Sequence, residues 1–335
     1  MKKITWLALI GLLVFFVVGF SGCGKGGGAK KEGKAKQVRI GTLHLVNGDL
    51  IALHEKWYEK ELGVPVKITK FDSGKDINIA IASGSIDIGQ EGTSPAALAI
   101  ANKLDVEVFW IGDIIGTAET LVAKKSSGIK NVKDLIGKKV ATPFASTAHY
   151  SLLNALKLAG VNENSVTILD LQPDDIYATW QRGDIDAAYV WYPVLGNLLK
   201  DGIAITDSAK LAEQGVVTGD TNVVRRPFAE ANPEIVTKFT ELQIRANHTI
   251  QHERPQAVKA IAAVLEISEK DVAEQLESFQ YLTVEEEIDY LDNKLAKTLK
   301  GTADFLVEQK SIKSAPSLET FQSRVTAKFV KNAKK

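Results

Sequence analysis

The chain has 335 residues, with 41 basic and 41 acidic side chains, one cysteine and five histidines. That length leaves room for two lobes with separate cores, and the balanced charge excludes a nucleic-acid binder with a basic footprint. A lone cysteine excludes an intrachain disulfide or a thiolate metal cluster. Lys2 and Lys3 open the chain, Ile4 to Phe20 is an apolar run, and the small pair Ser21-Gly22 precedes Cys23. Residues 1–22 therefore read as an export signal. An uncleaved helical anchor is the competing reading, because the run sits at the short limit for crossing a bilayer.

Phe20-Ser21-Gly22-Cys23 resembles the signal of bacterial lipoproteins. That resemblance implies that Cys23 carries the lipid of the mature amino terminus. Residues 23–36, which include GGGAKKEGKAK, then form a flexible cationic tether. Gly22-x-Gly24-x-x-Gly27 formally matches the dinucleotide fingerprint, but a signal segment precedes it and a linker follows, so no cofactor is expected.

Beyond the tether, β-type runs occupy 37–43, 66–71, 86–90, 106–112, 138–144 and 166–171. Helical patterns lie between them, at Leu50–Glu61, Asp76–Ser83 and Ala148–Ala159. The alternation predicts an α/β fold in which each sheet is mostly parallel and flanked by helices. ASGSIDIG (82–89) and QRGDIDAA (181–188) repeat one helix–turn–strand unit, with Gly84 and Gly183 placed to end helices in the left-handed conformation. Two similar lobes account for the echo; a chance likeness between two common units also would. From Pro227 the pattern turns helical and is expected to wrap one lobe. Asn232-Pro233, Ser268 and a Thr283/Glu286 capping box open successive helices there.

Two stretches share one design. In QEGTSPAALAIANK a strand ends, Ser94 is the expected N-cap and Pro95 the first helical residue; in ATPFASTAHYSLLNALKLAG the cap is Ser146 or Thr147. A helix N-terminus offers unpaired N–H groups and about half a positive charge, which suits an anion. Ordinary capping explains either one alone. Two of them, each after the carboxyl end of a strand, mark the place where open α/β sheets bind ligands. YVWYP (189–193) sends Tyr189 and Trp191 to one face, either as core or as cover for an alkyl chain or a cation. Asp220, in VTGDTNVVRR, is either a solvated loop acid or stands where the chain returns to the first lobe. Catalytic signals are weak: GTSPA is one residue short of a nucleophile elbow. His248 and His252 lie one helical turn apart without the acidic second motif of a zinc site, so no metal is expected.

FDSGKDINIAIASGSIDIGQEGTSP, GKKVATPFASTAHYSLLNALKLAGV, LQPDDIYATWQRGDIDAAYVWYP and RRPFAEANPEIV resemble the taurine-binding receptors of ABC importers. Those belong to the nitrate/sulfonate/taurine group of solute-binding proteins. The resemblance implies a two-lobe periplasmic-binding fold of type II. Lobe one would cover 37–120 plus 223–335 and lobe two 121–222, with hinge crossings near Thr120 and Asn222. It also implies ligand contacts from Thr93 and Ser94, Ser146 and Thr147, Tyr189 and Trp191, and Asp220. Gln172 would be a polar wall, and His44 would substitute for the family's polar-proline pattern in the loop after the first strand, TLHLVNGD (42–49). On that pattern the helix N-termini and hydroxyls take a sulfonate, Asp220 pairs with an ammonium and Trp191 covers the linker.

The function implied is a monomeric, non-enzymatic receptor, lipid-anchored outside the cytoplasm, that passes taurine or a related sulfonate to an ABC permease and its ATPase. Competing functions are a receptor for another aliphatic sulfonate or a nitrate-like anion, a sensory module, and a thiamine-pyrimidine-precursor synthase on the same fold. The export signal and the absence of that enzyme's cysteine-rich motif speak against the last.

Overall fold

The computed structural model describes residues 33–334, so the export signal and Cys23 lie outside the described residues. The strands are β1 (Val38–Leu43), β2 (Val66–Phe71), β3 (Ile88–Gly92), β4 (Val106–Ile115), β5 (Glu119–Lys124) and β6 (Lys139–Thr142). They continue with β7 (Thr167–Asp170), β8 (Ala187–Trp191), β9 (Gly202–Asp207), β10 (Gly219–Arg225) and β11 (Phe279–Gln280). Two sheets result, in the orders β11-β4-β10-β3-β1-β2 and β7-β6-β8-β5-β9.

Both sheets are mixed yet mostly parallel, as expected: β1, β2, β3 and β4 share a direction with β10 and β11 reversed, and β6, β7, β8 and β9 share one with β5 reversed. β1 pairs in parallel with β2 and β3, and β6 with β7 and β8. β10 runs antiparallel to β3 and β4, and β5 antiparallel to β8 and β9. The reason lies in how the chain changes sheets. It leaves β4 for β5 through residues 116–118, and β9 for β10 through residues 208–218. A strand arriving from the other sheet begins at the gap where the parallel strands end, so it must run against them. Thr120 and Asn222, where the crossings were expected, lie inside β5 and β10.

Sheet two is covered on both faces. Leu121, Val140 and Tyr189 belong to one core, while their neighbours Val122, Ala141 and Val190 belong to another. This is why these strands read as nearly continuous apolar runs. Sheet one carries the largest core, including Ile40, Ile88, Val108, Phe109 and Phe239.

Local signals act as the sequence predicts at several ends. Gly84 (φ 69°) and Gly183 (φ 81°) follow helices Gly74–Ala82 and Pro173–Arg182 in the left-handed region. Ser268 accepts the N–H of Asp271, and Thr283 and Glu286 form the capping box. Elsewhere context prevails. The helix expected over Leu50–Glu61 is two, Gly48–His54 and Trp57–Glu61, broken where Lys56 adopts φ 56°. Asn232 does not cap with its side chain; its Oδ1 accepts the N–H of Ala35 at 2.8 Å, and Lys34 meets Glu234 at 2.5 Å. The last residues of the tether are thus fastened to the body. The carboxyl-terminal region is not wholly helical, since β11 joins sheet one beside β4. Nor does it serve one sheet alone, because Phe305 of helix Leu295–Glu308 meets Tyr150, with ring centroids 5.2 Å apart, in a core of sheet two.

Candidate functional site

The carboxyl ends of β1, β3, β4 and β8 and the starts of β5 and β10 converge on a crevice of about 470 Å3, mouth included. Sheet one contributes Gly92, Pro95 and Asp220; sheet two contributes Glu119, Ser146, Thr147 and Trp191. Leu45, Val46 and Phe279 supply apolar cover.

Two helix starts meet at this crevice. Helix Thr93–Ala101 begins directly after β3, with Gly92 as its N-cap, so Ser94 is the second helical residue and not the cap. Gly92 is required by closeness: a Cβ there would lie 2.6 Å from Thr147 Cγ2, at the start of helix Thr147–Leu158. Ser146 caps that second helix. Its Oγ accepts the N–H of His149 at 3.1 Å and donates to the carbonyl of Pro143 at 2.5 Å. Thr147 Oγ1 is hydrogen-bonded to Glu119 Oε1.

The electrostatics are one-sided. Asp220 is 6% exposed, and burial followed by the charge of Asp49 pushes its carboxyl up to about 7. Glu119 is 3% exposed; burial raises it to about 8, against the stabilising Thr147 hydrogen bond and with the charge of Asp220 adding to the rise. Asp113 stands opposite Asp220 in the β4–β10 ladder and is raised by burial and then by Asp220. Among the described residues lining the crevice there is no Lys, Arg or His. Two acids without a protein cation suit a ligand with a cationic end, and the paired helix starts suit an anionic one.

The predicted residues divide into three groups. Ser146, Thr147, Trp191 and Asp220 line one crevice. Thr93, Ser94 and Tyr189 are buried beside it: Thr93 Oγ1 accepts the N–H of Gly219 at 3.4 Å, Ser94 Oγ has no hydrogen-bond partner among the described residues, and the Tyr189 hydroxyl meets Ser208 Oγ at 3.2 Å. Gln172 and His44 line a neighbouring cavity with Lys70 and Asp174, joined to the crevice through Trp191. There His44 is held below its ordinary value by burial and then by Lys70. Sequence reading missed Glu119. Its signal was available: in ETLVAK it alternates with the core residues Leu121 and Ala123, and an acid on a buried face asks for a reason.

A family model described as NMT1/THI5 like matches residues 46–275. The chain is 40% identical over 286 residues to the taurine-binding periplasmic protein of Escherichia coli (strain K12), covering 84% of this chain and 88% of that one. It is 28% identical over 308 residues to the putative aliphatic sulfonates-binding protein of Bacillus subtilis (strain 168), covering 90% and 91%. The crystal structure of the periplasmic aliphatic sulphonate binding protein SsuA from Escherichia coli superposes with a TM-score of 0.73 at 25% identity, covering 88% of this chain and 92% of that one. The alkanesulfonate-binding protein SsuA from Xanthomonas axonopodis pv. citri, bound to MOPS, superposes with a TM-score of 0.72 at 24% identity, covering 90% and 99%. The two mixed sheets are those of a type II periplasmic binding protein. By the family match and the extent of these likenesses, the chain belongs to the NMT1/THI5-like family of solute-binding proteins.

Proposed function

We propose that this protein is the solute-binding receptor of an ABC importer, that it captures taurine between its two sheets, and that a lipid on Cys23 holds it to the membrane outside the cytoplasm. One observation carries the choice of ligand. Asp220 is a buried acid without a cation among the crevice-lining residues, and it shares that crevice with two helix starts. A zwitterion with an ammonium at one end and a sulfonate at the other matches both features.

In this reading the sulfonate takes backbone N–H groups and the Thr147 hydroxyl, each charge-assisted bond contributing about 1.5–3 kcal/mol. The ammonium pairs with Asp220, and the carbon linker lies against Trp191. Thr93, Ser94 and Tyr189 support the crevice from behind, and Gln172 and His44 belong to its approach. Ligand bridging the sheets would favour an arrangement that draws them together; Lys75, in helix Gly74–Ala82, and Asp170, at the end of β7, stand 3.4 Å apart. The curated relatives cited are binding proteins by name, in keeping with a receptor that performs no chemistry on its ligand. A sulfonate without an amine leaves Asp220 unpaired, so taurine is the better fit.

Calorimetry against taurine, alkanesulfonates, sulfate and nitrate tests this. Taurine is expected to bind tightest; a preference for an amine-free sulfonate or for nitrate would overturn the assignment.

A further inference from the structure

Glu119 poses a chemical problem, because a carboxyl group stands where a sulfonate is to be received. It begins β5 and lines the crevice with Thr147 and Asp220. Its Oε1 is bonded to Thr147 Oγ1, and Ser208 Oγ lies 3.5 Å from its Oε2. A threonine hydroxyl carries a single hydrogen. With Glu119 ionised, that hydrogen is spent on the carboxylate, and a charge of the sulfonate's own sign faces the ligand. With Glu119 protonated, its O–H donates to Thr147 Oγ1, and the threonine hydrogen is released toward a ligand oxygen.

The groups around Glu119 favour the protonated state. Asp220 from β10 and Asp113 from β4 are acids, and each interacts electrostatically with Glu119. Tyr189 from β8 is bonded to Ser208, and Asp207 at the end of β9 has Lys210 at 3.3 Å. Burial is the first cause raising Glu119, and the charge of Asp220 adds to it.

We propose that Glu119 is a positioning residue that works as a neutral acid, donating its proton to Thr147 Oγ1 so that the Thr147 hydroxyl becomes a donor to the ligand's sulfonate; this rests on the taurine function proposed above. Two carboxyls of one crevice then hold opposite roles, Asp220 ionised for the ammonium and Glu119 protonated for the sulfonate, set apart by their surroundings.

Calorimetry of taurine binding between about pH 6.5 and pH 9.5, with wild type, Glu119→Gln and Glu119→Leu, tests the assignment. A glutamine amide can donate to Thr147 at every pH. The wild-type dissociation constant is therefore expected to rise against that of Glu119→Gln above pH 8, approaching tenfold per pH unit. Taking the ratio cancels titration of taurine's own amine. Glu119→Leu is expected to bind about tenfold or more weakly at pH 7. Infrared spectra of the taurine complex at pH 7 should contain a protonated-carboxyl band that Glu119→Gln removes.

A ratio constant across the range, a Glu119→Gln variant as weak as Glu119→Leu, or no such band overturns the role of Glu119 while leaving the taurine function standing. Absence of taurine binding by the wild type at every pH overturns both.

Discussion

Asp220→Asn moves two measurable quantities in opposite directions. In the empty crevice, burial and the charge of Asp49 lift Asp220 from 3.8 to about 7. A raised carboxyl holds its proton more tightly folded than unfolded. Its penalty is therefore absent below the unfolded value, grows between about pH 4 and pH 7, and is complete above that. At about 1.36 kcal/mol per pH unit, the rise corresponds to roughly 4 kcal/mol, a ceiling because an opened crevice readmits water. Asparagine keeps the shape and cannot ionise. The empty variant is expected to be more stable than wild type at pH 8 by up to about 4 kcal/mol, and to lose most of that advantage near pH 4. Taurine affinity moves the other way. Removing one partner of a buried, hydrogen-bonded charge pair costs about 2–5 kcal/mol, which is about thirtyfold or more in the dissociation constant. Guanidinium unfolding at the two pH values reads the first effect, and calorimetry the second. An empty variant less stable than wild type at pH 8, or one that binds taurine equally well, refutes the view of Asp220 as a buried charge awaiting a cation.

Three further outcomes are expected. Taurine affinity should decline as pH drops through about 7, because the ammonium requires Asp220 ionised; a dissociation constant that stays flat on the acid side contradicts this. Trp191→Ala, which uncovers the ligand's linker and removes an aromatic face from its cationic end, should weaken taurine binding by about tenfold, read by calorimetry. Gly92→Val places side-chain atoms where a Cβ already comes within 2.6 Å of Thr147 Cγ2. It should abolish binding with far-ultraviolet circular dichroism unchanged, and a variant that still binds taurine would show that the helix starts need not meet.

Much of the framework was legible because it depends on neighbours a few residues apart. The β2 strand matches its predicted span of 66–71, and Gly84 and Gly183 end their helices left-handed as the repeated unit indicated. β3 shows the limit: it was expected over 86–90 and runs Ile88–Gly92. Asp87, read as strand, instead anchors Arg39 at 2.5 Å and Arg225 at 2.6 Å, partners that arrive from distant chain segments. The helix after β3 likewise starts earlier than expected, with Gly92 as its N-cap, and it is there that Thr147 of helix Thr147–Leu158 packs close.

By itself the sequence determined that strands and helices alternate, how several of them end, and that two helix starts follow strand ends, since periodicity, capping and left-handed glycines are local. The tertiary structure alone decided that β5 and β10 run against their neighbours, that Asp220 faces Asp113, and that Glu119 holds Thr147 inside the crevice. Those outcomes arise where the chain crosses between sheets. There, burial and charge from residues far apart in sequence set what each acid can do.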